Sequence, residues 1–551
     1  MTNNQTVVTA RSGTSPGPAV LDDAHVGDIR GALGRIAQQD TAPRRGWRAR
    51  LLTLAAIMGP GLIVMVGDND AGGVSTYAQA GQNYGTSLLW TLLLLIPVLI
   101  VNQEMVVRLG AVTGVGHGRL IFERFGRFWG WFAVGDLFLL NFLTIVTEFI
   151  GVALASEYFG LNPRITVPLA GVVLIGITVT GRFERWERFM FLFLALNALV
   201  IPIALLSHPN VGTTAHDLLV PGIRGGFSSD AILLIIAIVG TTVAPWQLFF
   251  QQSNVIDKRI TPRWINYERA DTVIGAFVVV IGAAALMLAP AFLLGGTSAA
   301  GHFTDAGGVA HALASHGHSV VATLFAIVLL DASIIGASAV TLATSYAFGD
   351  VFGIHHSLHR PWREAKAFYA SFAVTVLAAM TIVLLPGAPL GVITTAVQAL
   401  AGVLLPSASV FLLLLCNDRA VLGPWVNRPW LNALASLILG VLLMLSMILV
   451  VSTLVPSINV GALVLGSAAV LAVALLVIGV LALRSAARGA PRVLVDAGVD
   501  KMSWRMPPLA LLTRPVWSRT RMVGMWSLRI YLVIAASLLL VKAVQLGTGG
   551  H

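Results

Sequence analysis

Residues 67–73 read Gly-Asp-Asn-Asp-Ala-Gly-Gly, and they interrupt an apolar run that extends over residues 51–83. Such a run is long enough to cross the roughly 30 Å hydrocarbon core of a bilayer. Asp68 and Asp70 would each cost about 2.5–3.5 kcal/mol at the centre of a membrane helix. The stretch therefore predicts a broken membrane helix, and its paired acids favour a functional site over a simple kink.

Composition supports a membrane protein along the rest of the chain. Of 551 residues, 56% are hydrophobic and 11% are charged, whereas an average soluble protein carries about 25% charged residues. Thirteen apolar runs are predicted to be membrane spans. They cover residues 51–83, 87–109, 128–156, 164–181, 187–207, 229–253, 270–295, 319–347, 367–385, 390–416, 431–455, 459–483 and 525–544. The single cysteine, Cys416, excludes a disulfide framework and a cysteine-based metal site.

Lys and Arg are concentrated in alternate loops, which predicts a cytoplasmic N-terminus and a multi-pass protein of the cell membrane. We expect the chain to have five parts, and we expect its core to contain two five-helix repeats, over about 51–208 and 229–416. The parts are a disordered cytoplasmic tail (1–45), a core (46–420), two additional membrane helices (421–484), a basic cytoplasmic segment (485–524) and a final membrane helix (525–551).

The sixth span contains a second interruption, Gly-Thr-Thr-Val-Ala-Pro-Trp-Gln at residues 240–247. Pro245 removes a backbone donor and disfavours a continuous helix. For Pro245 alone, a simple kink explains the pattern equally well. However, spans one and six occupy equivalent places in two five-span halves, and this arrangement is typical of inverted-repeat transporters with broken helices.

Several short motifs carry a family resemblance. They are Gly59–Leu62, Asp70–Gly73, Gln79–Gly81, Arg108–Gly110 with Val112–Gly114, Glu148–Gly151, and Gln398 with Pro406. Together they resemble the NRAMP divalent-metal transporters over roughly residues 50–420. The resemblance implies an all-α polytopic fold of the LeuT-like, 5+5 inverted-repeat type, with broken first and sixth helices and extra C-terminal helices.

The resemblance also implies a metal site. In the family, the site uses the Asp and Asn of a DPGN motif, together with a Met and a backbone carbonyl from the sixth span. Asp70 stands at the position of the Asp, but Gly73 replaces the Asn and Ala244 replaces the Met. Trp246 and Gln247 replace a His-Asn pair.

Groups that the family associates with proton movement are only partly kept. Glu148 matches a family Glu, whereas Ile145 replaces an Asp and Gln251 replaces a His. We therefore expect transport without tight proton coupling. Glu148 is interpreted equally well as an acid on the ion pathway or as a structural acceptor for a neighbouring helix.

The replacements change the expected ion. A thioether favours transition metals, whereas carboxylate, carbonyl and water suit Mg²⁺, and Mg²⁺ keeps several waters. We expect a roomier site for partly hydrated Mg²⁺, with Mn²⁺ as an alternative. The expected metal-site residues are Asp70, Asp68, Gly73, Ala244, Gln247, Thr242 and Gln398. Asp68 has no counterpart in the family motif and is either a second ligand or an entrance charge.

We expect a monomeric transporter in the lipid bilayer, with a divalent metal ion as its partner, and with no enzyme activity, cofactor or nucleic acid. Two alternatives stay open: a different substrate, such as another metal or a small organic solute, on the same scaffold, or a non-transporting metal sensor. Asp136 and Asp331 are isolated acids at membrane depth. They either line a pathway or make hydrogen bonds between helices.

Overall fold

The computed structural model describes residues 20–385, 390–455, 457–487 and parts of 501–537. Within these residues, ten helices are long and apolar enough to cross a membrane, or eleven if one bent pair is counted as a span. The predicted final span at 525–544 and the basic segment at 485–524 lie largely outside the described residues.

Nine helices form the first half of the bundle. They are α1 (Trp47–Ile57), α2 (Pro60–Val66), α3 (Ala71–Tyr84), α4 (Leu89–Thr113), α5 (His117–Phe125), α6 (Arg127–Tyr158), α7 (Pro163–Val179), α8 (Phe183–Asn197) and α9 (Val200–Leu206). The axes of α1 and α2 differ by 59°. The predicted first span thus consists of three helical pieces.

The second half follows a connecting helix, α10 (Val211–Leu219). It comprises α11 (Ser229–Thr242), α12 (Pro245–Asp257), α13 (Ile265–Leu293), α14 (Ala306–Ser315), α15 (Ser319–Phe352), α16 (Lys366–Val383) and α17 (Leu390–Cys416). Beyond it lie α18 (Arg419–Leu422), α19 (Pro429–Leu454) and α20 (Val460–Ala487). The described residues also form four 3₁₀ turns, Asp23–His25, Pro262–Trp264, Gly423–Trp425 and Leu509–Leu511.

The first break has a local cause at each end. After α2, the N–H groups of Asp68 and Asn69 bond carbonyls three residues back, at 3.1 Å each, so the α-helical pattern tightens and stops. Asp70 is extended and is the N-cap of α3, a position that Asp favours because its carboxylate accepts an otherwise unpaired N–H.

The second break follows from proline. Pro245 occupies the first turn of α12, where its missing N–H costs nothing. Ala244 precedes it and is extended, as the residue before a proline tends to be. The two breaks are enclosed by unbroken helices, since α13 packs on α2 and α3, and α17 packs on α11. The predicted all-α polytopic fold with broken first and sixth helices is confirmed.

Residues 20–45 differ from the predicted disordered tail. β1 (Ile29–Gly31) pairs antiparallel with β2 (Gly34–Ile36), and Ile29 and Ile36 are buried. The Arg259 guanidinium donates to the carbonyls of Ala24 and Asp28. These strands are three residues long, so no hydrophobic period reveals them; contacts with distant helices order them instead. We call residues 20–36 the N-terminal segment.

Candidate functional site

Two carboxylates meet at the first turn of α3. Asp70 Oδ1 accepts the N–H of Gly73 at 2.6 Å, and Glu148 Oε2, from α6, accepts the N–H of Ala71 at 3.1 Å. Gly336 of α15 lies against both acids, because a Cβ there would be 2.5 Å from Glu148 Oε2 and 2.9 Å from Asp70 Cβ. A glycine on α15 therefore permits this close approach, and Glu148 is both an acceptor for α3 and a neighbour of Asp70.

A third carboxylate, Asp68, is connected to the second break. Gln247 Nε2 donates to Asp68 Oδ1 and to the Thr242 carbonyl, the latter at 3.2 Å. Gln103 of α4 donates from Nε2 to Gln247 Oε1 at 3.0 Å, which fixes the orientation of the Gln247 amide. One glutamine thus connects the acid of the first break to the helix end of the second.

These groups form one cluster, and several of its polar atoms have no hydrogen-bond partner among the described residues. We call Asp68, Asp70, Glu148, Thr241, Thr242, Gln247 and Gln398 the break cluster. Each of its side chains belongs to a residue no more than 2% exposed. Its unpartnered atoms are Asp68 Oδ2, Glu148 Oε1, Thr241 Oγ1 and Gln398 Nε2. The Gln398 amide lies directly against Gly72, where a Cβ would overlap it.

The break cluster brings together three buried carboxyl groups and contains no basic side chain. Its three carboxylates receive no hydrogen bond from a Lys or Arg side chain in the part of the chain that the structure describes. Burial of a carboxylate without a countercharge is costly, and a bound cation removes that cost. The arrangement is therefore suited chemically to a positively charged ligand.

The polar side-chain atoms of the break cluster are oxygens and amide nitrogens. Met65, the methionine closest in sequence to the break, packs instead against Gly275 of α13, where a Cβ would lie 2.7 Å from its Cγ. Cys416 is buried in α17, and its Sγ lies 3.7 Å from the Met105 carbonyl. Neither sulfur is part of the cluster.

The structure describes the surroundings of two predicted site positions, Gly73 and Ala244. A Cβ on Gly73 would lie 2.5 Å from the Asp68 carbonyl and 3.2 Å from Thr241 Oγ1. The predicted extra space at Gly73 is therefore filled by the main chain of the break. Ala244 accepts the N–H of Gln247 at 3.2 Å and offers a methyl group but no side-chain donor.

Three residues were not predicted. Gln103 orients Gln247, Thr241 lies beside Gly73, and Tyr77 Oη is 2.7 Å from Thr242 Oγ1. Tyr77 is seven residues after Asp70, so the helical period places both on one face of α3 and was a usable signal. No sequence signal connects Gln103 with Gln247, 144 residues away.

Two further positions that the resemblance associates with proton movement, Gln251 and Ile145, are not part of the break cluster. Gln251 Nε2 donates to Thr272 Oγ1 of α13 at 2.9 Å. Ile145 is fully buried one turn before Glu148 on α6. The positions that carry a His and an Asp in the resembling family therefore offer no titratable group here.

Comparison with known proteins identifies relatives over most of the chain. The Nramp family model, described as natural resistance-associated macrophage protein-like, matches residues 61–452. The divalent metal cation transporter MntH of Ralstonia nicotianae is 28% identical over 396 residues, which cover 68% of this chain and 86% of that protein. MntH of Xanthomonas campestris pv. campestris is 30% identical over 57% of this chain and 72% of the relative.

Other matches are shorter. With MntH of Chromohalobacter salexigens, at 29% identity, the chain spans about half of the relative's length, 54%. Among solved structures, the Eremococcus coleocola manganese transporter in complex with an aromatic bis-isothiourea substituted compound aligns with a TM-score of 0.61. That alignment is 18% identical and covers 91% of this chain and 98% of the other. At this identity it establishes a shared fold.

Proposed function

Since the chain belongs to the Nramp family, we propose that it transports divalent metal ions across the membrane, with partly hydrated Mg²⁺ as its main substrate. Mn²⁺ is the second candidate ion, because the Eremococcus coleocola protein of the same fold is a manganese transporter. The observation that carries the proposal is the break cluster itself. It combines three buried carboxylates with amide and hydroxyl groups and contains no sulfur.

The donor set supports a hard cation. Mg²⁺ prefers oxygen ligands and binds through one or two carboxylates while it keeps several waters. Asp70 and Asp68 supply the carboxylates, and Gln247, Thr242 and Gln398 supply neutral groups within the same cluster. Because Ala244 has no thioether, the site lacks the soft ligand that favours a transition metal.

Transport without tight proton coupling is the second part of the proposal. It is supported by Ile145 and Gln251, neither of which can exchange a proton near neutral pH. A divalent ion moving inward gains about 4.6 kcal/mol per 100 mV of membrane potential, so a potential alone can drive uptake. We propose a monomeric protein in the cell membrane, with its N-terminus in the cytoplasm and with the domain boundaries given above, except that the N-terminal segment is ordered.

A flux assay tests both parts. The purified full-length chain in proteoliposomes would receive Mg²⁺, Mn²⁺ or Ca²⁺ under an imposed inside-negative potential, with a pH dye inside the vesicles. We expect potential-dependent Mg²⁺ uptake without acidification of the interior. Uptake of an organic solute with no divalent-ion flux would overturn the substrate assignment. Ion-linked acidification would overturn the absence of coupling, and ion binding without flux would indicate a sensor.

A further inference from the structure

A cavity of about 350 Å³ lies between the N-terminal segment and the start of α8. Its volume falls within the range of roughly 300–1,000 Å³ that small-molecule sites occupy. Three separate parts of the chain form its wall, namely β1, the residues that join α7 to α8, and the loop between α15 and α16. The lining residues are Arg30, Gly181, Arg182, Phe183, Glu184 and His359. None of them belongs to the break cluster.

Two arginine side chains of this cavity form no salt bridge with a carboxylate in the described part of the chain. Arg30 is the exposed central residue of β1, and Arg182 is exposed immediately before α8. Arg30 acts electrostatically on Asp28, but the Asp28 carboxylate is bonded to the guanidinium of Arg35 instead. Both guanidinium groups that line the cavity are therefore available to a ligand.

The lining residues carry more positive than negative charge. Glu184 is the one acid among them, and its carboxylate lies 3.9 Å from the Arg188 guanidinium, one turn along α8. Two arginines and one glutamate leave a net charge of +1 when His359 is neutral. Arg259 adds a further positive charge that repels Arg30, since its own hydrogen bonds go to backbone carbonyl groups. A concave surface with such a surplus attracts an anion.

Stacking and a hydrogen bond hold one wall of the cavity in place. The His359 ring stacks on Phe183, with 5.4 Å between centroids and 19° between planes, and its Nε2 lies 3.0 Å from the Asp257 carbonyl oxygen. Gly181, with φ +63°, allows the two connections to approach, because a Cβ there would lie 2.6 Å from the Arg360 carbonyl oxygen. Packed groups, and not the arginine side chains alone, therefore define the cavity.

The charges of the surrounding arginines act on His359, which lies in the loop between α15 and α16. Burial lowers the pKa of its imidazole, and the charges of Arg259 and Arg30 lower it further, against the opposing charge of Asp257. The positive charge of Arg30 is thus directed toward the cavity wall as well as toward solvent.

The same end of α8 leads into an apolar surface. Leu192 and Leu196 of α8 are 60% and 39% exposed. Leu192 follows Arg182 by ten residues, which is about 15 Å along a helix axis. In the orientation proposed above, the cavity faces the cytoplasmic surface of the membrane, where anionic lipids attract basic groups. The geometry allows an acyl chain to lie along α8 while its head group reaches the cavity.

We propose that this cavity binds a phosphate group between the guanidinium groups of Arg30 and Arg182. The phosphate belongs either to the head group of an anionic lipid or to a soluble phosphate compound, and the two share the same anionic oxygens. Arginine binds phosphate oxygens through paired N–H donors and keeps its charge at neutral pH. Because Arg30 belongs to the N-terminal segment and Arg182 precedes α8, a bound phosphate ties this segment to the helix bundle.

The test is thermal unfolding of the purified full-length protein in a neutral detergent at constant ionic strength, adjusted with KCl. The probes are dioctanoyl phosphatidylglycerol, dioctanoyl phosphatidylcholine and potassium phosphate. Arg30→Gln and Arg182→Gln each remove one guanidinium from an exposed position, so both variants should fold. Arg185→Gln is the matched control, because Arg185 is an exposed arginine of α8 that does not line the cavity. Glu184→Gln removes the acid of the cavity.

We expect the Tm of the wild type to rise saturably with phosphatidylglycerol, with potassium phosphate or with both. A response to phosphatidylglycerol alone assigns the site to a lipid head group, and a response to potassium phosphate assigns it to a soluble compound. Arg30→Gln and Arg182→Gln should each weaken the apparent affinity by about tenfold or more. Arg185→Gln should behave like the wild type, and Glu184→Gln should bind more tightly.

The absence of a saturable rise with both phosphatidylglycerol and potassium phosphate would overturn the proposal. An equal response to phosphatidylcholine, whose choline group neutralises the phosphate charge, would also overturn it. Equal losses in Arg30→Gln, Arg182→Gln and Arg185→Gln would show a diffuse attraction between a basic surface and anionic head groups instead of a site. The measurement contains no divalent ion, so its result is independent of Mg²⁺ transport.

Discussion

Asp271 of α13 caps the start of α2, with its Oδ2 atom 2.8 Å from the backbone nitrogen of Gly61. The same oxygen accepts the N–H groups of Gly59 at 3.0 Å and Leu62 at 3.2 Å. A carboxylate at a helix N-terminus satisfies donors that have no partner within the helix and complements the positive end of its dipole. Asp271 thus ties the first half-helix of the broken span to an unbroken neighbour.

Asp271→Ala should destabilise the protein by about 2–3 kcal/mol, because three N–H groups lose their shared acceptor and stay buried. Asp271→Asn keeps an acceptor oxygen and should lower the free energy of unfolding by less. Urea or thermal unfolding in detergent measures the difference between the two variants. Equal stability of the wild type and Asp271→Ala would show that water or a shifted side chain accepts the N–H groups at the start of α2.

Asp70→Asn should reduce divalent-ion binding by at least about tenfold, or about 1.4 kcal/mol. An asparagine at the N-cap of α3 still accepts the Gly73 N–H, so the variant removes a charge from the break cluster without removing the cap. Isothermal titration with Mg²⁺ and Mn²⁺ measures the loss. Asp305→Asn, which alters the N-cap of α14 outside the cluster, is the control and should bind like the wild type. Full affinity in Asp70→Asn would exclude Asp70 as a ligand.

Ala244→Met should shift transport toward Mn²⁺ by about tenfold relative to Mg²⁺, because it adds a thioether at the second break. Ala244 is 5% exposed, so the larger side chain also costs stability, typically about 1–3 kcal/mol. Ala244→Leu adds similar volume without sulfur and separates the two effects. Competition between Mn²⁺ and Mg²⁺ in the flux assay gives the selectivity. The same shift in both variants would mean that volume, not sulfur, sets the preference.

The buried imidazole of His117 should make the folded protein less stable in acid. His117 is the first residue of α5, in the connection between α4 and α6. Burial lowers the pKa of its imidazole to about 4, because the hydrogen bond with Gln252 and the charge of Asp350, which both raise the pKa, have smaller effects. The unfolded chain takes up this proton near pH 6.5, but the folded protein does so only near pH 4. Between these values the unfolded state binds more protons, so the His117 contribution falls by about 1.4 kcal/mol per pH unit as pH decreases.

His117→Gln isolates this effect, since the amide can still bond Gln252 and does not titrate. Unfolding free energies of the two proteins from pH 7 to pH 4 should converge or cross as pH falls. A constant difference over that range would mean that His117 does not set the slope.

The sequence predicts the two helix breaks more fully than the residues that pack around them. The acids and glycines at 67–73 and the proline at 245 are local signals, because they conflict with a helix in lipid wherever they occur. The position of Asp70 as an N-cap follows from the same local chemistry. By contrast, Gln103 reaches Gln247 from another helix, and its role depends on packing that no local pattern encodes. The filled space at Gly73 depends on the path of the Asp68 carbonyl, which side-chain identity alone does not predict.

The N-terminal segment is where the structure differs most clearly from the sequence-based prediction. The large apolar side chains that its two strands bury are Ile29 and Ile36, which are too few for a recognisable period. Asp22 accepts hydrogen bonds from the Arg360 guanidinium and from the N–H of His356. Its pKa is lowered because these bonds, above all the one from Arg360, outweigh the opposing effect of burial.

The attachment of the N-terminal segment also constrains the order of synthesis. Asp22 and Arg360 are separated by 338 positions, so this contact of the N-terminal segment cannot form until about two thirds of the chain has left the ribosome. Domains generally fold from the N-terminus as they emerge, yet here the earliest segment must dock after the helices on which it rests. The docking of Asp22 onto Arg360 is therefore expected to be a late step in assembly, on a bundle that has already inserted.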